Sequence, residues 1–240
     1  MNSGHEIRSI WKLVALHLFP GIVLSIVYIF LLNSESLTEY PKVVTLGIAG
    51  FFSILPIELG YLLYVAKKET GKFNIFKVMG LKSKMKVKEY AVYTLLLLSV
   101  AGILMKALQP FSNYILNTVF HWLPNDYNYV QDMSLFSKNF ILIAIAVSFF
   151  FLTLILPITE ELYFRGFLLA RMKWMGKYSV LVNLLLFAVY HFWSPWLIVA
   201  RIVAFLPLFY LVYKKDSLKL GIAVHCLANF TDVAALVMLL

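Results

Sequence analysis

A single cysteine, Cys226, stands in 240 residues, so no intramolecular disulfide framework can staple this chain. Charge is scarce as well: Asp, Glu, Lys and Arg make up 14% of the sequence against 62% for hydrophobic residues. Soluble domains run nearer a quarter charged and half apolar, so a water-soluble globule is excluded. Acids are the scarcest of the charged residues, 12 against 21 bases, which leaves a net charge of +9. That excess does not read as a nucleic-acid surface, and no nucleic-acid partner is expected. Eight lysines crowd into Lys67 to Lys88 between two apolar runs, the pattern of short cytoplasmic loops between membrane spans. Low-complexity stretches, internal repeats and a soluble domain are missing too.

What is present is a series of windows that approach or exceed the roughly 20 apolar residues needed to cross a bilayer. The expected fold is all-α: a polytopic helical membrane protein with about seven transmembrane helices. The spans are expected near residues 11–32, 43–66, 90–108, 140–171, 178–193, 196–213 and 219–240. The first is too long for a signal-peptide core and no small-residue cleavage site follows it, so it is expected to be retained. Residues 1–240 read as one membrane domain, with N-terminal spans and loops over 1–138 and a chemical core over 139–240. Lys and Arg alternate between high and low across successive loops, which predicts a cytoplasmic N-terminus and an outer C-terminus. The long segment 109–138 reads as an outer loop, and the tryptophans of "FWSPW" (192–196) suit an outer interface.

Against this background the ionisable groups inside spans stand out, because each costs about 2.5–3.5 kcal/mol at mid-helix on insertion scales. They are Glu58, Glu160, Glu161, Arg165, His191, Arg201, His225 and Asp232, with Asn183 and Asn229 as polar companions. At about 1.5 Å per residue, Glu160 lies about 16 Å from the cytoplasmic face, His191 about 20 Å, His225 about 9 Å and Asn229 about 15 Å. Three helices therefore deliver polar groups to overlapping depths, which predicts a polar intramembrane chamber. Phase agrees: His225 and Asn229 share a face, as do Phe187 and His191, and Glu161 precedes Arg165 by the four residues that favour an ion pair. Glu160 points about 100° away from Glu161, free to face the chamber. Pro157 lacks an N–H and bends the helix beside it.

A carboxylate, two imidazoles and an amide are parts for hydrolysis. A glutamate can take a proton from water, and His and Asn side chains can donate to an oxyanion, one such donor being worth about 3–4 kcal/mol. Glu160, His191 and His225 also make up a two-His, one-Glu set of the kind that binds catalytic zinc, although the HExxH spacing is absent. Glu58 and Arg201 are left to neutralise each other or to line the chamber. Asp232, on the face of His225, is a candidate to orient it through a bend or a water. A non-catalytic membrane scaffold is the alternative to an enzyme, and a transporter comes third.

The combination EExxxR (Glu160, Glu161, Arg165), FxxxH (Phe187, His191) and HxxxN (His225, Asn229), in that order on separate spans, resembles the CPBP intramembrane proteases. This is the Abi or CAAX-protease-like family, which includes the type II CAAX prenyl endopeptidases. The resemblance covers roughly Leu154 to Thr231. It implies an endopeptidase in which Glu160 activates water with His191 assisting, His225 and Asn229 stabilise the oxyanion, and Glu161 and Arg165 hold the motif helix. It further implies a metal-independent glutamate mechanism, with zinc as the less favoured variant. Partners would be membrane lipids and a peptide or protein substrate, lipidated or plain. The scaffold alternative would serve a signalling or bacteriocin-immunity partner. The compact size suits a prokaryotic plasma membrane.

Overall fold

The computed structural model describes residues 6–80, 85–124 and 127–240. Of the lysine cluster, Lys82 and Lys84 lie outside the described residues. Among the described residues no strand occurs, and the chain forms seven helical rods. These are α1 (Ile10–Leu32), α2 (Lys42–Thr70), α3 (Val87–Thr118), α4 (Lys138–Arg171), α5 (Tyr178–Tyr190), α6 (Pro195–Lys214) and α7 (Leu218–Val237). Six are long and apolar enough to cross a bilayer; α5, with 13 residues, is the short one. The helical polytopic architecture is thus the one the composition requires.

Local chemistry sets the helix ends. The Ser9 hydroxyl caps α1 by accepting from the Lys12 amide, and Ser217 caps α7 by accepting from Leu220. Gly71 ends α2 in the left-handed conformation, φ 72°, where a side chain would be strained. Two of the boundaries that differ from the sequence expectation bear on the site. The third span runs to Thr118, because the aromatic and apolar residues after Gln109 extend the helix and Pro110 is accommodated within it. The fifth stops at Tyr190, and His191 takes a non-helical φ/ψ of −79°/56°. At about 1.5 Å per residue α5 is about 20 Å long, short of a hydrocarbon core of about 30 Å. Irregular backbone at membrane depth is tolerated only where protein or a water-filled cavity surrounds it.

Pairwise packing closes a ring: α1 on α2, α2 on α4, α4 on α7, α7 on α3, α3 on α6, α6 on α5 and α5 back on α1. The second half of α4 runs through its interior, with Tyr163, Phe164, Arg165, Phe167 and Leu168 among the most deeply buried side chains. Outside, α3 turns Leu95, Leu96 and Ile103 outwards, an apolar wall suited to lipid. The tryptophans expected at an outer interface are instead inside. Trp193 and Trp196 are buried, and the part of the α3–α4 connection around Tyr127 lies against the broken end of α5. Tyr127 in that connection packs against Tyr28 and Trp196 and donates its hydroxyl to the Phe192 carbonyl at 2.9 Å.

The two ends of the bundle differ in charge. One gathers the segment before α1, tied to Arg171 and Trp174 through Ile7, with Lys67, Lys68, Lys173, Lys177, Lys214 and Lys215. Arg171 is clamped there between Glu69 at 2.9 Å and the Val78 carbonyl at 2.8 Å. The opposite end holds the last residue, Leu240, whose carbonyl accepts from Lys138.

Close approach of α1 to the end of α5 depends on Gly21, where an added Cβ would collide with the Tyr190 carbonyl. Gly21→Ala should therefore destabilise the fold by about 1–3 kcal/mol, the usual range for overpacking. Gly102→Ala, on the open face of α3 with nothing within 4 Å, should not. Reversible unfolding in mixed micelles checks the pair.

Candidate active site

The polar centre is built outward from Arg165. Its guanidinium lies between the rings of Phe187 (3.9 Å) and Phe209 (4.0 Å), stacked on α5 and α6. Arg165 Nη1 stands 3.0 Å from Glu161 Oε1, an ion pair one helical turn apart with both side chains essentially buried. The same Glu161 oxygen meets His225 Nδ1 at 2.9 Å. Glu161 thus links α4 to α7, and its other oxygen lies against Gly221, where a Cβ would collide with it. The carboxylate reaches this position because α7 presents a bare backbone one turn before His225.

Glu160 faces the other way. Its Oε1 accepts the Tyr190 hydroxyl at 3.0 Å, and its Oε2 stands 3.7 Å from His225 Nε2. His191 Nδ1 is 2.7 Å from the Phe187 carbonyl. A carbonyl only accepts, so that nitrogen carries the proton and a neutral His191 leaves Nε2 with a bare lone pair. Phe187, between the two motif positions, touches the His191 ring edge-on at 4.7 Å and the Arg165 guanidinium on its face.

Asn229 donates Nδ2 to the Leu152 carbonyl at 2.8 Å. The reason lies in the π-helical turn Ser148–Ile155, after which Leu156 N–H bonds Phe151 O, five residues back. In that register the Leu152 carbonyl faces position 157, where proline has no N–H. The Asn229 amide supplies the missing donor and keeps a second N–H for other use.

A cavity of about 240 Å³ adjoins these groups, and Glu160, Phe187, His191, His225 and Asn229 all line it. Glu161 and Arg165 stand behind the wall. Along α2 the lining runs from Val43 to Ile54, along α4 from Ser148 to Glu160, along α6 from Leu197 to Phe205 and along α7 from His225 to Asp232. The cavity therefore occupies the half of the bundle away from the basic end. Tyr129 of the α3–α4 connection also lines it, and burial pushes its phenol pKa up, opposed by Arg201. Space of this size holds several waters among polar partners.

The other polar groups of the spans take partners of their own. Of the two roles left open for it, Arg201 takes that of lining the cavity and does not pair with Glu58; it donates to the Ser194 hydroxyl at 2.7 Å and carbonyl at 3.1 Å, fastening the turn after His191. Asp232 lines the cavity, but the group on His225 Nδ1 is Glu161. Among the described residues no group of three His, Cys, Asp or Glu side chains is arranged to hold a metal. Asn183, a polar companion of these groups in sequence, bridges His17 Nε2 and the Phe164 carbonyl as core packing.

Tyr190, Gly221 and the placement of Glu58 were missed from sequence. Gly221 carried a usable signal, since Gly221, His225 and Asn229 repeat every four residues on one face. For Glu58 the signal was a shared tetrapeptide: "ILPI" precedes both Glu58 (54–57) and Glu160 (155–158).

Fold and site together define a multi-pass integral membrane protein with a buried carboxylate–histidine centre. A family model described as type II CAAX prenyl endopeptidase Rce1-like matches residues 142–231, from α4 into α7. The resemblance to the CPBP and CAAX-protease family holds over that segment, which contains all three motifs. No curated protein and no solved structure matches the chain.

The Glu161–Arg165 pair generates a stability prediction. Glu161→Gln or Arg165→Met alone strands a buried charge and should destabilise by about 3–5 kcal/mol. The double substitution should cost clearly less than the sum of the two. A double-mutant cycle read by unfolding in micelles checks it, and simple additivity would refute the coupling.

Proposed function

We propose that this protein is an intramembrane endopeptidase that hydrolyses a peptide bond of a membrane-associated protein or peptide, lipidated or plain. The observation that carries the reading is Glu160 Oε2 standing 3.7 Å from His225 Nε2 beside a cavity that His191 and Asn229 also line. Glu160 Oε1 is held by Tyr190, which leaves Oε2 to take a proton from a cavity water. The bare Nε2 of His191 accepts that water's second hydrogen and fixes its direction. The water oxygen attacks the carbonyl carbon, and the resulting oxyanion is met by His225 Nε2 and the free N–H of Asn229. Glu161 is ionised against Arg165, so His225 Nδ1 donates to it. Nε2 can then donate only when the ring carries both protons, so the reactive form has Glu160 as carboxylate and His225 as imidazolium. When the tetrahedral intermediate collapses, the C–N bond breaks and Glu160 returns its proton to the leaving amine. No step calls on a metal.

Cleavage of a mixed set of lipidated and plain peptides by purified protein, read by mass spectrometry, tests this. Glu160→Gln should lower kcat by about 10²–10⁴ and His225→Ala by about 10²–10³, with folding intact. Full activity in Glu160→Gln would remove Glu160 as the base. Retention of the cellular phenotype by both variants would favour a non-catalytic scaffold.

The charge asymmetry supports a cytoplasmic basic end and hence a cytoplasmic N-terminus. The cavity then lies in the outer half of the bilayer, and substrate reaches it from that side. In a Cys226→Ser background, Asp232→Cys should react with a membrane-impermeant maleimide on intact cells. Labelling confined to inverted vesicles would reverse the orientation.

A further inference from the structure

Glu58 lies in α2, outside the segment that the family model matches. It is fully buried, and neither carboxyl oxygen has a hydrogen-bond partner of good geometry. Its surroundings are Glu160, Tyr190, Arg165 and Tyr163. Arg165 is ion-paired with Glu161 and stacked between two aromatic rings, and it makes no hydrogen bond to either Glu58 oxygen. Tyr163 donates its hydroxyl to the Leu16 carbonyl at 2.8 Å. The Tyr190 hydroxyl lies within reach of Glu58, but its one proton goes to Glu160 Oε1 at 3.0 Å. An ionised Glu58 would therefore be a second buried anion beside Glu160 with no donor of its own, an arrangement a low-dielectric interior does not sustain. A protonated Glu58 donates to the Tyr190 oxygen, and every group in the row then has a partner. A chain of this kind strengthens each bond within it.

We propose that Glu58, Tyr190 and Glu160 form one shared-proton unit, in which Glu58 holds the carboxyl proton, Tyr190 relays the hydrogen bond, and Glu160 is left as the ionised member. Glu58 is a positioning residue: it touches no substrate and acts through Tyr190 on the direction and charge of Glu160. No proton leaves the row when Glu160 works, because the water's proton arrives on Oε2, on the cavity side. The catalytic consequence rests on the protease reading, but the protonation pattern does not.

Infrared spectroscopy of the full-length protein in micelles, exchanged between H₂O and D₂O, reads the pattern without any substrate. A deuterium-sensitive protonated-carboxyl band should be present in the wild type and in Glu160→Gln, and missing from Glu58→Gln. It should shift in Tyr190→Phe, which removes the hydroxyl that Glu58 meets. A band that survives Glu58→Gln, one that disappears in Glu160→Gln instead, or one unmoved by Tyr190→Phe overturns the proposal. On a cleaved peptide, Glu58→Gln, whose amide still donates to Tyr190, should stay within about threefold of wild type. Glu58→Leu, which cannot donate, should lower kcat about tenfold at unchanged KM, one hydrogen bond's worth. Equal losses in both variants would mean the carboxyl's charge is needed, against the proposal. Should no peptide be cleaved even by the wild type, the protease reading fails while the band pattern still decides the shared-proton unit.

Discussion

The site depends on how one guanidinium is kept inside a membrane protein. Arg165 is buried away from bulk solvent, and an isolated charge there would cost several kcal/mol even after relaxation. Two aromatic faces at 3.9 and 4.0 Å and one carboxylate at 3.0 Å take the place of solvent. Each compensating group is also a structural commitment. Phe187 fixes the end of α5, Phe209 fixes α6, and Glu161 extends the link to His225 on α7. The ring of helices is thereby tied at the level of the cavity, and Nδ1 of His225 is held by an ion pair outside the cavity wall. Guanidinium suits this task better than ammonium, being planar, permanently charged and able to stack.

Proline-associated irregularity is the second device. The "ILPI" of α2 and that of α4 each place a proline beside π-helical turns and a glutamate just after it. Such turns are common at functional sites, since they release backbone groups and redirect side chains. In α4 the released Leu152 carbonyl is recovered by Asn229. The same asparagine therefore joins α7 to the bend in α4 and presents an N–H toward the cavity. A substitution at Asn229 disturbs both functions at once, so loss of activity there does not by itself separate chemistry from architecture.

Much of this was readable from the residues alone. The four-residue spacings forecast which side chains share a face, and counting along apolar runs brought Glu160, His191, His225 and Asn229 to overlapping depths; all four line one cavity. Periodicity could not reveal partners supplied by a different helix. Tyr190 looks in sequence like any interfacial aromatic, and Gly221 looks like a tolerated small residue. Their importance lies in what approaches them across the bundle, the carboxylates of Glu160 and Glu161. The buried tryptophans misled for a related reason. An aromatic near a span's end is interfacial only if nothing covers it, and the connection carrying Tyr127 covers these.

The short α5 connects fold to chemistry. A helix that crossed the whole bilayer would have hydrogen-bonded its own backbone past residue 191 and turned the imidazole to a helix face. Because it ends at Tyr190, the turn that follows needs donors and acceptors, and the structure provides them from every side. Tyr127 donates to the Phe192 carbonyl, Arg201 holds Ser194, and His191 itself bonds back to Phe187. Satisfying that turn consumes Nδ1 of His191 and so turns Nε2 into the ring's one available lone pair. The cost of breaking a helix in the membrane and the preparation of a histidine that can accept from water are consequently met by the same bond.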